Sequence, residues 1–490
     1  MDTTELHARL TALSELPSIT ATDVERYVFS PISFWCQHHA PEDQRESANA
    51  YQQHIFEVGR EHQTSVVSES YPGAIEKRFV NEDDGFAMTL ELMSQGELYV
   101  KNMPLMSRPK GIEGRPDLLV KSDSDQSDFG NYGYNVVEIK SARNIQLAHK
   151  LQGAMYNRLV GLVQGKEPPE FYIVNRDGDV LTVPMSEVSD ELDRVLDRMR
   201  SIIDGEVVDP CHGDGRWPWE QYVDQLAVDA NDVSLLPGVG GSTRGFLMEA
   251  GYRTVADVAA ATEESLVGVQ RIGQKTASKI ITCARAISQG HPIRRNSTTK
   301  LPIAQTSVFF DLEGAEVSSG SEGLGVTNYL IGALVPQTND KPRFVPFFAD
   351  TPDGEEANLR QFFEWASQLT NPKFYHWHHY ERTHLTKMSE HYGLPDTLIS
   401  PTLDNLVDLS PIANSMFAFP AYGEGLKDIA KSLGFKWRQG DVSALTSMAL
   451  YIDYTRSRGR DIEAKQKILT YNEDDCLATM HIFDWLASQA

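Results

Sequence analysis

"YNVVEIKSARNIQLAHKLQGAMY", residues 134–156, puts a carboxylate and an ammonium at the end of an apolar run and then turns into a helical pattern. Read as a strand, Asn135 to Lys140 alternates with period two, so Glu138 and Lys140 share one face while Val137 and Ile139 share the other. An isolated E-x-K at a strand end that reaches water carries little energetic weight. Its neighbours argue for more. Upstream, "GRPDLLV" sets Asp117 at the head of another strand pattern, and a polar, glycine-bearing loop connects the two, so a hairpin would bring Asp117 beside Glu138. Downstream, "HKLQGAMYNRLVGLV" reads as a helix whose Gln152 and Tyr156, four apart, lie on one face. Further upstream, "FEVGREHQ" offers His62 on a helical stretch.

Working outward, 490 residues exceed what one hydrophobic core serves, so two to four domains are expected. The longest apolar runs fall short of a bilayer span, and the polar start "MDTTELHARLTALSELPS" lacks the pattern of a signal peptide; a cytoplasmic location without membrane partners is expected. Cys36, Cys211, Cys283 and Cys476 lie far apart, which argues against a disulfide framework and against an all-cysteine metal site. The formal charge of −24 opposes non-specific nucleic-acid binding by the surface as a whole.

The pattern divides into an α/β segment over 1–222, a glycine-punctuated helical segment over 230–292, and a second α/β segment over 304–490, with "GHPIRRNSTTKLPIAQ" as a candidate linker. Residues 232–300 hold nine Lys and Arg against five Asp and Glu, a basic island in an acidic chain and the expected footprint for a phosphate backbone. "LLPGVGGSTRGFLMEAGY" and "LVGVQRIGQKTASKIITCARA" are two imperfect copies of one pattern. This segment resembles a tandem helix-hairpin-helix module, a sequence-independent DNA binder. Gly238 and Gly240 match the first hairpin's glycines. In the second, Gly273 is present but Arg271 stands where the first glycine is usual, which implies either a distorted hairpin or an Arg side chain used on phosphate; Lys275 would join it at the backbone. A helical spacer that binds nothing is the alternative.

A metal-dependent nuclease needs clustered carboxylates for Mg²⁺ or Mn²⁺, a water to be activated and a cation near the scissile phosphate. The order G-x-x-H, P-D, E-x-K and Q-x-x-x-Y over about residues 20–210 resembles the RecB-like branch of the PD-(D/E)XK nucleases, with a restriction-endonuclease-like fold. That resemblance implies His62, Asp117 and Glu138 as metal ligands, the Ile139 carbonyl as a further ligand, Lys140 as the residue that positions or activates water, and Gln152 and Tyr156 as DNA-contacting residues lining the site. Iron–sulfur-bearing relatives have a cysteine just before the proline of "ERYVFSPISFWCQHHA". Here Ser30 precedes Pro31, and "DPCHGDGRWPW" keeps only Cys211, so no iron–sulfur cluster is expected. A zinc site from Cys36, His38, His39 and Cys211 is a weaker alternative because its spacing fits no established pattern.

"SVFFDLEG" ends an apolar strand in Asp311 and Glu313, which alternation places on one face, where two carboxylates repel unless a cation joins them. "FYHWHHYERTHL" puts Glu381 at the opening of a helix, and "ILTYNEDDCLATMHIFDWL" reads as a helix with Tyr471 and Asp475 on one face. Four acids from two strands and two helices suit a two-metal centre. The set resembles the DnaQ-like, RNase H-fold exonucleases of the DEDD class, Tyr subtype, and within them the YprB-like branch, with Glu381 where the second motif usually has Asp. The resemblance implies Asp311, Glu313, Glu381 and Asp475 as metal ligands and Tyr471 as the residue that orients the nucleophilic water. Asp408 is expected to be structural or to support the ligand acids from behind, and Asp474 to be an exposed neighbour.

Together these segments imply an α/β multidomain DNase with a RecB-like site and a 3′ to 5′ exonuclease site, acting on single-stranded, flapped or processed ends in repair, recombination or defence. No G-x-x-x-x-G-K-[ST] motif appears, so unwinding would need a helicase or ATPase partner. A nucleic-acid-binding scaffold with one or both sites silent, and an RNA-processing nuclease, are the alternatives.

Overall fold

The computed structural model describes residues 2–124, 126–315, 326–337, 340–439 and 444–489. Contacts divide the chain into two compact units, Met1–Ser47 with Gln53–Leu226, and Ala48–Gln52 with Ala227–Ala490. Both carry mixed α/β sheets, and the second also holds the glycine-punctuated helices, so the α/β multidomain architecture is the one the sequence implies.

The N-terminal unit has strands β1 (Ile19–Thr20), β2 (Tyr99–Lys101), β3 (Leu105–Ser107), β4 (Ile112–Gly114), β5 (Leu118–Ser122), β6 (Gly133–Ile139), β7 (Glu170–Val174) and β8 (Val180–Pro184). Five form a sheet in the order β2-β5-β6-β7-β8, and β1, β4 and β3 form a smaller one. β5 and β6 pair antiparallel with Leu118 opposite Val137, and β6 and β7 pair parallel across the Leu147–Gln164 helix. Alternation along β6 sorts its side chains. Val136 joins the core beneath that helix, with Leu151, Met155 and Phe171, whereas Val137 and Ile139 pack with Val67 on the opposite face. Glu138 therefore faces the Leu147–Gln164 helix and is only 2 % exposed. That burial overturns the reading of a strand end in water.

In the C-terminal unit, β9 (Ile293–Arg294) precedes the sheet formed by β10 (Thr306–Ala315), β11 (Thr327–Gln337), β12 (Asp340–Phe348), β13 (Pro372–His376) and β14 (Leu406–Asp408), and β15 (Phe417–Ala418) follows. The sheet order is β12-β11-β10-β13-β14, with β10–β11–β12 antiparallel and β13 and β14 parallel to β10. β10 is buried on both faces, as its unbroken apolar run requires. Val308, Phe310 and Leu312 pack against Phe362 and Phe363 of the Glu355–Ala366 helix, and Phe309 packs against Phe483 and its neighbours on the Ile462–Ser488 helix. Asp311 and Glu313 share the parity of Phe309 and so face the long C-terminal helix.

The stretch expected to be a linker is partly bound. β9 pairs antiparallel with β15, Arg295 N–H donates to the Met416 carbonyl at 2.8 Å, and Arg294 Nη1 donates to the Gln489 carbonyl at 2.9 Å. The side chains of both arginines donate to the protein itself, Arg294 to the Gln489 carbonyl and Arg295 to the Phe417 carbonyl and Cys283 Sγ.

Candidate active sites and nucleic-acid interface

In the N-terminal unit the hairpin interlocks the two acids. Asp117 N–H donates to Glu138 Oε1 at 3.0 Å, and Ile139 N–H donates to Asp117 Oδ2 at 2.7 Å. Lys140 Nζ donates to Gln152 Oε1 and lies 3.9 Å from Glu138 Oε2, so strand and helix converge as the sequence pattern implies. Burial pushes Asp117 up to about 6. Glu138 is raised further, first by burial and then by the Asp117 charge. Burial opposes the ammonium of Lys140, yet Glu138, Glu25 and Asp117 together hold it above the usual lysine range. Tyr156 is buried beside the same acids, with Thr22 as a hydrogen-bond partner.

Two features depart from the sequence pattern. From the Ala50–Ser70 helix it is Gln63, not His62, that reaches Asp117, donating to Oδ1 at 2.8 Å. Among the described residues, His62 does not gather with Asp117 and Glu138 into a three-ligand cluster; its Nε2 is buried without a hydrogen-bond partner. The second is Glu25, whose Oε1 lies 3.5 Å from Lys140 Nζ and 3.5 Å from His149 Nε2. Nothing in "DVERYVF" marked it, because its partner lies 115 residues downstream. Ser30 caps the Pro31–His39 helix, with Oγ accepting from Ser33 N–H at 3.1 Å and donating to Ser33 Oγ at 2.8 Å. Of the zinc alternative, His39 Nε2 is bonded to the Ile202 carbonyl at 2.7 Å, and burial pushes the Cys36 thiol up to about 12.

The C-terminal unit gathers three acids. One carboxylate oxygen from each of Asp311, Glu313 and Asp475 lies within 4.8 Å of the others. Burial, then the Asp475 charge, pushes Glu313 up to about 8. Burial also lifts Asp475 to about 6, against hydrogen bonds from Trp437 and Tyr471 and the charge of Lys427. Asp311 is raised well above the carboxylate range by burial and by Asp475, Glu313 and Glu381. Oxygen donors that are mutually repelling and convergent, two of them buried and the third half-buried, fit a hard divalent cation, which would relieve the repulsion. Burial and the same carboxylates keep the Tyr471 phenol protonated.

Several groups that steady this cluster escaped the sequence reading. Trp437 Nε1 donates to Asp475 Oδ1 at 2.7 Å, and Lys427 Nζ sits 4.7 Å from the Tyr471 ring centroid. Asn472 Nδ2 donates to Asp311 Oδ2 at 2.8 Å. Its amide fits because Gly332 stands opposite Asp311 in the β10–β11 pair; a methyl there would lie 1.6 Å from Asn472 Oδ1. Glu381, expected as a fourth ligand, stands outside the three-acid cluster, with Oε2 3.2 Å from His376 Nδ1. Asp408 caps the Leu409–Met416 helix, as a structural acid should. Asp474 corrects the expectation of exposure. It is 1 % exposed and accepts from Arg438 N–H and Nε at 2.9 and 2.6 Å, because the side of the helix away from Tyr471 meets the Arg438 segment rather than water.

The helical segment repeats one hairpin twice. Gly238 has φ +81° and Arg271 has φ +63°, so Arg271 adopts the left-handed conformation of the glycine it replaces, and the hairpin is not distorted. Val239 and Ile272 are buried between them and the N-caps Gly240 and Gly273, which open the Gly241–Glu249 and Gln274–Gln289 helices without a side-chain cap. Uncapped N–H groups at a close-approach turn are suited to phosphate. Much of the basic island serves the fold instead: Arg244 pairs bidentately with buried Asp232, Lys279 pairs with Glu424, and Arg285 donates to the Ala259 and Ala261 carbonyls. Arg271 and Lys275 stay exposed beside Gly273, with the Arg271 guanidinium 5.7 Å over the Phe246 ring.

No helix among the described residues is long and apolar enough to cross a membrane. Residues 308–487 match the RNase_H superfamily model, and residues 231–286 match the model of the SAM-like helix-hairpin-helix tandem. The DNA repair and recombination protein RadA of Methanoculleus marisnigri is 47 % identical over 57 residues, a match covering 12 % of this chain and 18 % of that protein. The chain thus carries an RNase H superfamily domain, a nuclease fold, joined to a tandem helix-hairpin-helix domain suited to nucleic acid.

Proposed function

We propose that this protein is a metal-dependent DNA nuclease with two hydrolytic sites. The observation that carries the reading is the convergence of half-buried Asp311 with buried Glu313 and Asp475, the last hydrogen-bonded by Tyr471. A divalent cation bound there, Mg²⁺ or Mn²⁺, would polarise the scissile phosphate and activate water. Tyr471, kept protonated and hydrogen-bonded to Asp475, would orient that water through its hydroxyl oxygen, and Asn472 and Trp437 hold Asp311 and Asp475 in place. The DEDD-type, YprB-like resemblance supports a 3′ to 5′ exonuclease site, with Glu381 as its further candidate ligand.

The interlocked Asp117 and Glu138, with Lys140 and Gln152 against them, support a RecB-like PD-(D/E)XK site in the N-terminal unit. His62, whose Nε2 has no hydrogen-bond partner among the described residues, is its further candidate ligand. Three working segments, 1–222, 230–292 and 304–490, then divide the tasks: the first cuts or trims, the second grips the backbone through Gly238, Gly240, Arg271, Gly273 and Lys275, and the third removes nucleotides from an end. The RadA likeness agrees with a DNA substrate. Without a nucleotide-binding loop, a helicase partner would supply single strands.

The test is digestion of end-labelled single-stranded DNA, duplex, flap and RNA in Mg²⁺ or Mn²⁺, comparing wild type with Glu138→Ala, Asp311→Ala and the double variant. Each single variant should lose one product pattern and the double variant both. Intact substrates throughout would leave a binding scaffold as the reading, and preference for RNA would make the enzyme an RNA processor.

A further inference from the structure

The helical module and the C-terminal acids lie in the same compact unit. The Gln274–Gln289 helix opens at the hairpin glycine Gly273, and Lys275, Lys279 and Cys283 follow at four-residue spacing along one of its faces. Lys275 is exposed to solvent. One turn on, Lys279 Nζ lies 2.7 Å from Glu424 Oε1, and one turn further Cys283 Sγ accepts from Arg295 Nη2 at 3.2 Å. Arg295 carries that contact into the RNase H domain, its Nε donating to the Phe417 carbonyl at 3.2 Å and its N–H to the Met416 carbonyl at 2.8 Å. Beside it β9 pairs with β15, and Ala418 of β15 completes the hydrophobic core of the helical module. Glu424 is held from its other side as well. Its carbonyl accepts from Trp377 Nε1 at 3.0 Å, directly after β13, and Lys427, three residues on, holds its ammonium 4.7 Å from the Tyr471 ring centroid.

A lysine left in water one helical turn from this ion pair holds its phosphate at a set position relative to Asp311, Glu313 and Asp475. A flexible tether would leave that position free, whereas a strand pair, an arginine bridge and a salt bridge do not. One helical turn, one ion pair and a three-residue step of chain connect Lys275 to Lys427, a span on the order of 30 Å, or about ten nucleotides of axial length. A surface ion pair contributes little to stability, but here it need only select one orientation of a module that β9 and Arg295 already hold. We propose that the Lys279–Glu424 pair locks the phosphate grip to the C-terminal site, so that this site takes strand ends backed by at least about ten nucleotides and turns over short oligonucleotides poorly. The proposal rests on the hydrolase reading of that site and deepens it by naming the substrate class, the end of a long strand rather than a short fragment.

The test uses the full-length protein carrying Glu138→Ala, so that the C-terminal site is read alone, on 5′-labelled single strands of about five to about forty nucleotides in Mn²⁺. As length passes about ten nucleotides, kcat/KM should rise on the order of tenfold, and long strands should be trimmed to a residue near that length. Lys275→Ala should bring long strands down toward the rate of short ones. Lys279→Glu, which sets two carboxylates face to face, should blur the step over several nucleotides while kcat on short strands and thermal unfolding stay near the parent. Lys279→Glu combined with Glu424→Lys should sharpen it again. A step that is missing from the parent, unchanged by Lys279→Glu, or blurred and not restored by the swap overturns the lock. If no strand is cleaved in any metal, the hydrolase reading falls and affinity in Ca²⁺, measured by competition, decides the lock: a step at the same length that Lys279→Glu blurs upholds it, and a smooth dependence on length overturns it.

Discussion

Asp475→Asn should stabilise the metal-free protein while destroying its C-terminal activity. The isosteric amide keeps an oxygen for Trp437 Nε1, now bonded to Asp475 Oδ1 at 2.7 Å, and removes one of three converging charges. Burial lifts Asp475 from 3.8 to about 6, a difference corresponding to roughly 3 kcal/mol. Because the folded value is the higher one, the folded state binds the proton more tightly. Its contribution to stability is complete below pH 4 and is lost as pH rises through about 6. The amide pays none of this. Its advantage should be near zero at pH 4 and reach about 1–3 kcal/mol at pH 8, or roughly 2–8 °C in the melting temperature of a domain this size. Thermal unfolding in EDTA across pH 4–8 measures it. Adding Mg²⁺ or Mn²⁺ at pH 8 should reverse the order by stabilising wild type more than the variant. An advantage that is absent at pH 8, or equally large at pH 4, would refute the idea that like charges are held together at this site.

Gly332→Ala should displace the Asn472 amide and with it Asp311, costing about 1–3 kcal/mol in urea unfolding along with C-terminal activity; a fully active variant would show the close approach to be unimportant. Lys140→Met should abolish cleavage by the N-terminal site and destabilise the unit by leaving Glu138 and Glu25 without their cation, whereas Glu25→Gln should cost less of both; equal losses would mean that Lys140 acts only through Glu25. Arg271→Gly should relieve the positive φ, leaving stability unchanged or slightly raised, and still weaken DNA binding. With Lys275→Ala it should lower the slope of log affinity against log salt by about one per lost phosphate contact, so an unchanged slope argues against this module as the grip.

Much of this could be read from residue order alone, because the signals are local. Period-two alternation put Glu138 with Lys140 and Asp311 with Glu313, and the four-residue helical spacing put Gln152 with Tyr156 and Tyr471 with Asp475; backbone geometry dictates such relations whatever surrounds them. The repeated hairpin was legible for the same reason, even with Arg271 in place of glycine. What lay beyond reach depended on distant segments meeting. Glu25 finds Lys140, Trp437 finds Asp475, Asn472 slots over Gly332, and Arg438 buries Asp474, each pairing set by how sheets and helices pack rather than by spacing along the chain. The basic island shows the limit most plainly: its composition announced affinity for phosphate, but packing decided that Arg244, Lys279, Arg285, Arg294 and Arg295 would bind the protein itself, leaving Arg253, Arg271, Lys275 and Lys300 at the surface. Charge is a property of sequence, whereas its availability to a ligand is a property of the fold, because only the fold fixes which acceptors lie within reach of each cation.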